Sequence, residues 1–538
     1  MLDAGKIAGA KGRSTRSMLF NSYAFLFVFL PIALVGYQLA GRLNRNAVVL
    51  WFGFISLAFY AYWRPPYVLL LLASIGLNYI ATKLICRQIP NPIQPRIWLL
   101  TAIVFNLALL GYFKYLYPAL GLLAHLDAHP SRIANKILPL GISFFTFTQI
   151  AYLVDLEQGA AANEDFPSYL LFVSFFPHLV AGPILHHSEM MPQFRQNRRY
   201  HLRSADLAVG FSWFIMGLAK KVLLADTFAY TANAVYSTSG HVGLFIAWRG
   251  IIGYALQLYF DFSGYSDMAL GLARTFSIDF PLNFASHYKS SNIIEYWQRW
   301  HITLTRYVTA YVYNPLQLWI NDRRQTQGKK VSRKALATPG GFLGMLAFPL
   351  FTTFVITGVW HGAGTKYLVF GLLHGSFLTI NHACRLFQPR PATSATVMST
   401  PARPFAHAGW VLLTFLCVIS AQTFFRGNTC SQAVHLLCSM AGAHGLGSLQ
   451  LPDESIAAAA ADLATLLAGL FIVWTLPNTQ QILQRFKAAI TLTQWDQLQI
   501  NPRLLWSPRA GWAVAAGVLF FFSLVYLQQP STFLYFQF

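Results

Sequence analysis

The sequence predicts an all-α polytopic integral membrane protein, and three observations carry that prediction. Of 538 residues, 55% are hydrophobic and 16% aromatic while only 11% are charged, against about a quarter charged in a soluble chain. Apolar runs of about twenty residues, the length that crosses the ~30 Å core of a bilayer, recur along the chain. The basic residues behind the formal charge of +21 sit in short loops between those runs, as the positive-inside rule describes, and this excludes a soluble nucleic-acid-binding face. Five cysteines (Cys86, Cys384, Cys417, Cys430, Cys438) show no metal-ligand spacing and imply neither a disulfide framework nor a zinc site.

Residues 1–17 read as a basic extension carrying Lys6, Lys11, Arg13 and Arg16. No cleavable signal peptide is evident, because the first apolar run, from Met18 to Ala40, is long enough to span and lacks a small-residue cleavage site soon after it. Met18 is a second candidate start. Further runs lie near 22–41, 47–63, 66–85, 97–118, 137–155, 166–185, 206–225, 243–271, 341–361, 366–384, 408–425, 457–475 and 511–528. They predict around a dozen transmembrane and re-entrant helices. The last two runs are read as free of intramembrane charge and are given to packing. No internal repeat is visible, which argues against an inverted-repeat transporter.

Polar residues interrupt several runs. Leu138–Gln149, continued by Tyr152 and Asp155, reads as a helix with one polar stripe turned to its neighbours. In Phe175–Pro183 two prolines and a glycine must break the helical ladder, which suggests a cavity wall. His178 lies in that stretch, and the pair His186-His187 follows it. The pair lacks the aspartate and glycine of the soluble acyltransferase His-His motif and reads as loop. Beyond the basic loop Arg195–Arg203 and Lys220-Lys221, the segment Tyr259–Ala269 sets Asp261 against Tyr265 and Ser263 against Asp267 at i,i+4. Those contacts are either functional or glue between helices.

Residues 292–320 predict an amphipathic interfacial or re-entrant helix, with Glu295 paired to Arg299 and Trp297 on the face of His301. The loop Asp322–Lys334 follows, with six basic residues against one acid. It places its own side in the cytoplasm, and attraction for the phosphates of a coenzyme is a second reading.

The stretch Phe354–Gly364 then puts His361 between Trp360 and a Gly-Ala-Gly turn. Titratable groups persist in a bilayer mostly where they line an internal path, and a backbone break is tolerated only where it is buried or lines a cavity. The competing reading of His361 is a hydrogen-bonded contact between two helices. His374 reads as a packed helix contact, residues 385–407 as a loop, and Gln422–Arg426 as the close of the polar motifs.

With those residues in view, the sequence resembles the membrane-bound O-acyltransferase superfamily, within it the bacterial alginate O-acetylation branch, and is similar to the D-alanine transfer proteins of teichoic acid modification. The resemblance rests on Met18–Tyr23, Leu138–Phe144, Phe176–Pro183, Phe260–Asp267, Trp297–His301, Trp360–Gly364 and Phe424–Arg426. Where many members carry Arg-Asp-Tyr and Pro-Leu-Gly-Gly, this chain reads Val308–Leu318, with Ala310 at a usually acidic position. The resemblance implies a helical bundle around a tunnel, a thioester-linked acyl donor and transfer to a hydroxyl on the outer side. It divides the chain into the extension 1–17, an acyltransferase core 18–430 and a C-terminal loop with helices 431–538. His361 matches the near-invariant active-site histidine and His301 the second one. Trp360, Trp300, Asp261, Tyr265, Asn283 and Gln298 are assigned to substrate binding, and no residue to a metal.

The expected reaction is O-acetylation of an exopolysaccharide or cell-wall polysaccharide by a multi-pass protein of the bacterial inner membrane. Acetyl-CoA is the donor substrate, no cofactor is bound, and a periplasmic acetyltransferase partner takes part. An imidazole with an ordinary pKa near 6.5 suits a general base at neutral pH. His361 is given that role, with His301 orienting an acyl or acceptor group. No nucleophile elbow is present, and Thr365 keeps a covalent route open. The alternatives are a transporter that moves the acyl donor without chemistry and a scaffold for a periplasmic acetyltransferase. The acceptor, and whether transfer is direct or relayed through a partner's serine, stay open.

Overall fold

A computed structural model describes residues 19–87, 93–116, 138–195, 200–238, 240–387, 404–451, 454–486, 489–490, 500–527 and 533–534. The basic extension lies outside the described residues. Among these residues every regular element is helical, and eight helices are long and apolar enough to cross a membrane. The chain is a multi-pass membrane protein. Fewer helices meet that description than the sequence runs suggest, for identifiable reasons. The run at 166–185 breaks after Phe166–Ser174, that at 243–271 becomes Leu244–Thr275 with Arg249, Asp261, Asp267 and Arg274 inside it, and that at 511–528 reaches only Ala510–Tyr526.

The chain divides into two compact units. The first takes residues up to 107, 141–180 and 186–203. Its helices are α1 (Phe25–Leu43), α2 (Arg45–Trp63), α3 (Pro65–Ile85), α4 (Ile142–Glu157), α5 (Phe166–Ser174) and α6 (His187–Arg195); the apolar helix Ile93–Leu116 also begins here. Phe25, Phe29, Phe59 and Phe176 are all buried; Phe25 and Phe29 stack, and the other contacts among the four are edge-on or tilted, arrangements that the ring quadrupole favours over a face-to-face sandwich. The polar stripe of α4 is present. Gln149 donates to Ser74 at 3.1 Å and accepts from the Tyr169 hydroxyl at 3.2 Å. After α5 the chain breaks at Phe175 (ψ 114°), and His178 Nε2 donates to the Phe172 carbonyl at 3.0 Å. His187, expected in a loop, instead opens α6 and is buried against Glu164 at 2.7 Å, with Arg195 on the same carboxylate. The buried Glu164 carboxylate is thereby compensated by two partners instead of being left as an unpaired charge.

The second unit holds 108–140, 181–185 and 204–538. The described residues of 431–538 belong to this unit. Two long antiparallel helices form its centre, α7 (Ser204–Ser237) and α8 (Leu244–Thr275). Glycines at a spacing of seven on both let the backbones touch. A Cβ on Gly210 would lie 2.7 Å from the Gly271 carbonyl, and one on Gly217 would lie 2.6 Å from that of Gly264. Small residues at such crossings substitute close backbone packing for a hydrophobic drive that lipid removes.

A widened π-type turn over Lys220–Ala225 directs two adjacent lysines at α8. Lys221 meets both Asp261 and Asp226 at 2.6 Å, and Lys220 meets Asp267 at 2.6 Å. The expected same-helix contacts of Asp261 and Asp267 are thus replaced by ion pairs between helices. Removing one partner of such a buried pair costs about 3–5 kcal/mol, because the other charge is left stranded.

The following segment is broken once rather than being one amphipathic helix: after α9 (Ile293–Arg299) comes α10 (Ile302–Val308), which continues through a π-type turn at Thr309–Tyr313 into α11 (Asn314–Thr326). Glu295 does pair with Arg299, at 2.5 Å. Then Trp300 is extended and His301 takes a left-handed conformation (φ 43°), so Trp297 and His301 do not share a helix face. Trp297 instead donates to His374 Nδ1 at 3.2 Å. Next comes the antiparallel pair α12 (Pro339–His361) and α13 (Thr365–Phe387), followed by α14 (Pro404–Arg426), α15 (Cys430–Met440), α16 (Ile456–Thr475) and α17 (Ala510–Tyr526). The α16 run is not free of charge. Asp462 lies in it and accepts from Arg249 Nη2 at 2.8 Å, an ion pair invisible to a count of apolar residues.

Candidate active site

The site is built from the breaks in these helices. Past α8 the chain runs extended to Asn283, whose backbone carbonyl accepts from Ile302 N–H at 3.0 Å. Its side-chain oxygen accepts from Thr303 N–H at 3.2 Å and from the Thr303 hydroxyl at 2.9 Å. Two donors on one oxygen fix which end of the carboxamide is which. The same oxygen lies 3.1 Å from His301 Nδ1, so Nδ1 must carry the proton and Nε2 the lone pair. A left-handed φ on a residue with a Cβ costs about 1–3 kcal/mol and persists where its surroundings impose it. Here Asn283 holds the residues at and after the bend, and the Ala285 N–H, donating to the Arg299 carbonyl at 2.9 Å, holds the side before it.

His361 comes from the other side, as the last residue of α12. The helix stops because Gly362 turns extended and Gly364 takes φ +154°, with α13 starting at Thr365. The close α12–α13 approach rests on Gly358 and Gly371, where a Cβ would come within 2.4 Å of the Tyr367 and Phe354 carbonyls respectively. Edges of Trp360, Phe370 and Phe425 hold the His361 ring at centroid distances of 4.7, 5.8 and 5.0 Å.

His301 and His361 line one cavity of about 30 Å³, room for about one water-sized guest. Helix α8 supplies Leu258, Asp261 and Phe262 to its wall, and Tyr296 and Trp300 flank His301. Phe370, Gln422 and Phe425 close the side of His361, and Leu534 from the C-terminal end completes the lining. Asp261 is held in place by Lys221 and by the Leu534 N–H, which donates to it at 3.0 Å. The wall is mostly aromatic and aliphatic, and its polar side chains are the two imidazoles, the Asp261 carboxylate, the Gln422 carboxamide, the Tyr296 phenol and the Trp300 indole. Such an arrangement can move a proton and position a hydroxyl beside a small acyl group.

Of the residues assigned from sequence, His361, His301, Trp300 and Asp261 come together on this cavity. Asn283 lies behind it, holding His301. Tyr265 is buried away from the lining and stacks on Phe533 at 4.6 Å. Trp360 packs behind His361, with the Lys114 ammonium 5.2 Å from its ring. Gln298 is exposed on α9. Thr365, the alternative nucleophile, contacts Cys430 at 3.3 Å and does not line the cavity. Sequence reasoning did not assign Phe262, Tyr296, Gln422 or Leu534 to the site, although Phe262 and Gln422 lie within motifs it singled out, and it missed Lys221, whose partner Asp261 lies on another helix.

A polytopic helical protein that buries two imidazoles on one small, mostly apolar cavity has the makings of a membrane transferase. The chain belongs to the membrane-bound O-acyltransferase family, whose sequence profile matches residues 47–327, and it is an O-acyltransferase. It is 36% identical to a peptidoglycan O-acetyltransferase of Helicobacter pylori, over 81% of this chain and 82% of that protein. It is 31% identical to a probable alginate O-acetylase, AlgI, of Azotobacter vinelandii, over 97% of this chain and all of that one. A teichoic acid D-alanyltransferase of Bacillus subtilis is 28% identical over 47% of this chain and 60% of its own length.

Proposed function

We propose that this protein is an O-acetyltransferase of the bacterial inner membrane that carries acetyl groups from acetyl-CoA on the cytoplasmic side to a polysaccharide hydroxyl outside. The reading is supported above all by His301 and His361 sharing one small cavity. The relatives named for alginate and peptidoglycan O-acetylation favour a polysaccharide acceptor, with a periplasmic acetyltransferase as partner. The basic, exposed loop Asp322–Lys334 favours the cytoplasmic side for a coenzyme's phosphates.

His361 takes the proton of the incoming hydroxyl as the oxygen attacks the thioester carbonyl carbon. The C–S bond then breaks, and the imidazolium returns the proton to the departing thiolate. His301 offers a lone pair at Nε2, so it can accept a hydrogen bond from a hydroxyl but cannot donate one to a carbonyl. It therefore orients the acceptor rather than the acyl oxygen. Trp300 and Phe262 exclude water, and Asp261, neutralised by Lys221, holds the wall rigid.

Purified protein given acetyl-CoA and an oligosaccharide acceptor should release free thiol in step with acetylated product. Full activity in His361→Ala would place the base elsewhere. Thiol release absent from wild type, with acetyl-CoA still bound, would favour the transporter or scaffold reading.

A further inference from the structure

A second group of imidazoles stands apart from this cavity. His241 follows α7, His435 lies on α15 and His444 in the loop after it. One ring nitrogen from each lies within 4.8 Å of the other two. Ring centroids are 4.1 Å apart for His241 and His444 and 4.8 Å for His241 and His435. His241 and His435 are exposed and His444 is half-buried.

We propose that this trio is a binding site for a late first-row divalent cation, Zn²⁺ foremost, independent of acyl transfer. Three neutral imidazoles without a carboxylate among them suit zinc, copper or nickel, and poorly suit the hard, oxygen-seeking Mg²⁺ and Ca²⁺. The Ser439 hydroxyl lies 2.9 Å from His444 Nδ1. That contact occupies one nitrogen and leaves Nε2 as the ligand, the kind of supporting bond that metal-bound histidines carry. Zinc–nitrogen bonds of about 2.0–2.1 Å require the three nitrogens to draw closer, which side-chain rotation, freest at the exposed His241 and His435, can supply.

The backbones that carry the rings are already tied together. Leu244 and Phe245 N–H donate to the Gly445 and Leu446 carbonyls at 3.0 and 3.3 Å. Trp248 donates to the Met440 carbonyl at 3.1 Å and Gln432 to that of Tyr236 at 2.8 Å. A polar cavity of about 460 Å³ borders the cluster, with Thr238, Asn428, Thr429 and Gln432 in its wall. A hydrated ion can enter there, and a water or a donor from the cavity can complete four-coordination.

From the basic loop α12 leads away, α13 runs back beside it until Phe387 meets Phe342 at 5.5 Å, and α14 leads away again until the Gly427 carbonyl accepts from Lys366 at 2.8 Å. The trio therefore sits on the face opposite that loop, the outer face by the positive-inside rule. A bound ion would pin the exit of α7 to α15 and its following loop.

The test uses the full chain without a polyhistidine tag, purified in detergent, stripped with EDTA and titrated with ZnCl₂ by equilibrium dialysis. One saturable ion per chain is expected, with a rise in thermal midpoint. His435→Ala and His444→Ala should each weaken binding at least tenfold, and millimolar Mg²⁺ should not compete. Ser439→Ala should weaken binding less and keep the stoichiometry. His241→Ala alters only an exposed ring, and it decides the matter if a helix variant fails to fold. Equal binding by wild type and the triple variant, an adventitious ion only, overturns the proposal, as does the absence of saturable binding or equal competition by Mg²⁺.

Discussion

Two histidine groups in the same unit differ in almost everything except the side chain. His301 and His361 face a cavity of about 30 Å³ walled by aromatic and aliphatic groups. His241 and His435 line one of about 460 Å³, with hydroxyls and amides in its wall, and His444 lies beside them. The inner pair cannot admit a hydrated ion, and one of its nitrogens is committed to Asn283 at 3.1 Å. The outer trio meets water freely. Access and the partner of the second nitrogen, rather than the imidazole itself, separate a proton-transfer role from a ligand role.

The deepest cut between the two groups is His361→Ala. It should lower thiol release from acetyl-CoA by about 10²–10⁴-fold, the usual worth of a positioned general base, while zinc affinity measured by dialysis stays as in wild type. A change in both would join the groups.

His301 sharpens the same contrast because its backbone is strained. His301→Gly removes the ring and relieves the left-handed φ, whereas His301→Ala removes the ring alone. Both should lose about a hundredfold in rate, but the glycine variant should melt higher, the strain being worth about 1–3 kcal/mol. Equal melting points would show that the bend is not strained, and an unchanged rate would reduce His301 to packing.

Gly217→Val tests whether the inner site depends on the close helix pair. Its side chain would drive into the Gly264 carbonyl and push Lys220 and Lys221 off Asp267 and Asp261, costing about 1–3 kcal/mol or more. Thermal unfolding in detergent and thiol release should fall together. If stability drops with the rate intact, the ion pairs serve the fold alone.

The smallest effect concerns the loop near the outer trio. Arg249 hydrogen bonds, and secondarily the Leu451 N–H, hold the Glu454 carboxyl below its ordinary value of 4.5. A depressed folded-state pKa stabilises the protein above the unfolded value and is lost as pH falls through the lower, folded one. The wild-type melting point should therefore decline as pH drops below about 4.5. Glu454→Gln should flatten that decline and cost about 1–2 kcal/mol at neutral pH. A Glu454→Gln profile parallel to wild type would remove Glu454 from the account.

Much of the site was legible because its motifs are local. Trp297–His301 and Trp360–Gly364 mark the two histidines, and the break expected after His361 is present at Gly362–Gly364. Less legible was anything that depends on a partner from another helix. The i,i+4 reading joined Asp261 to Tyr265, whereas its carboxylate meets Lys221 and the Leu534 N–H. The same reading kept 292–320 continuous, although Asn283 bends it at His301. Asp462 was passed over inside an alanine-rich run because an average of hydropathy hides a single acid.

Run lengths, the scarcity of charge, the basic loops and a handful of ordered motifs were enough, with no coordinates, to establish a helical membrane protein and its family. Each of these is a property of neighbours along the chain, and a bilayer judges a segment by its own composition. Only the tertiary structure decided that Asn283 presets the tautomer of His301, that His361 faces the same cavity, and that three distant histidines converge. Those facts depend on which helix faces mate and in what register, and inside a membrane that choice falls to glycine contacts and buried ion pairs, whose partners sequence spacing does not reveal.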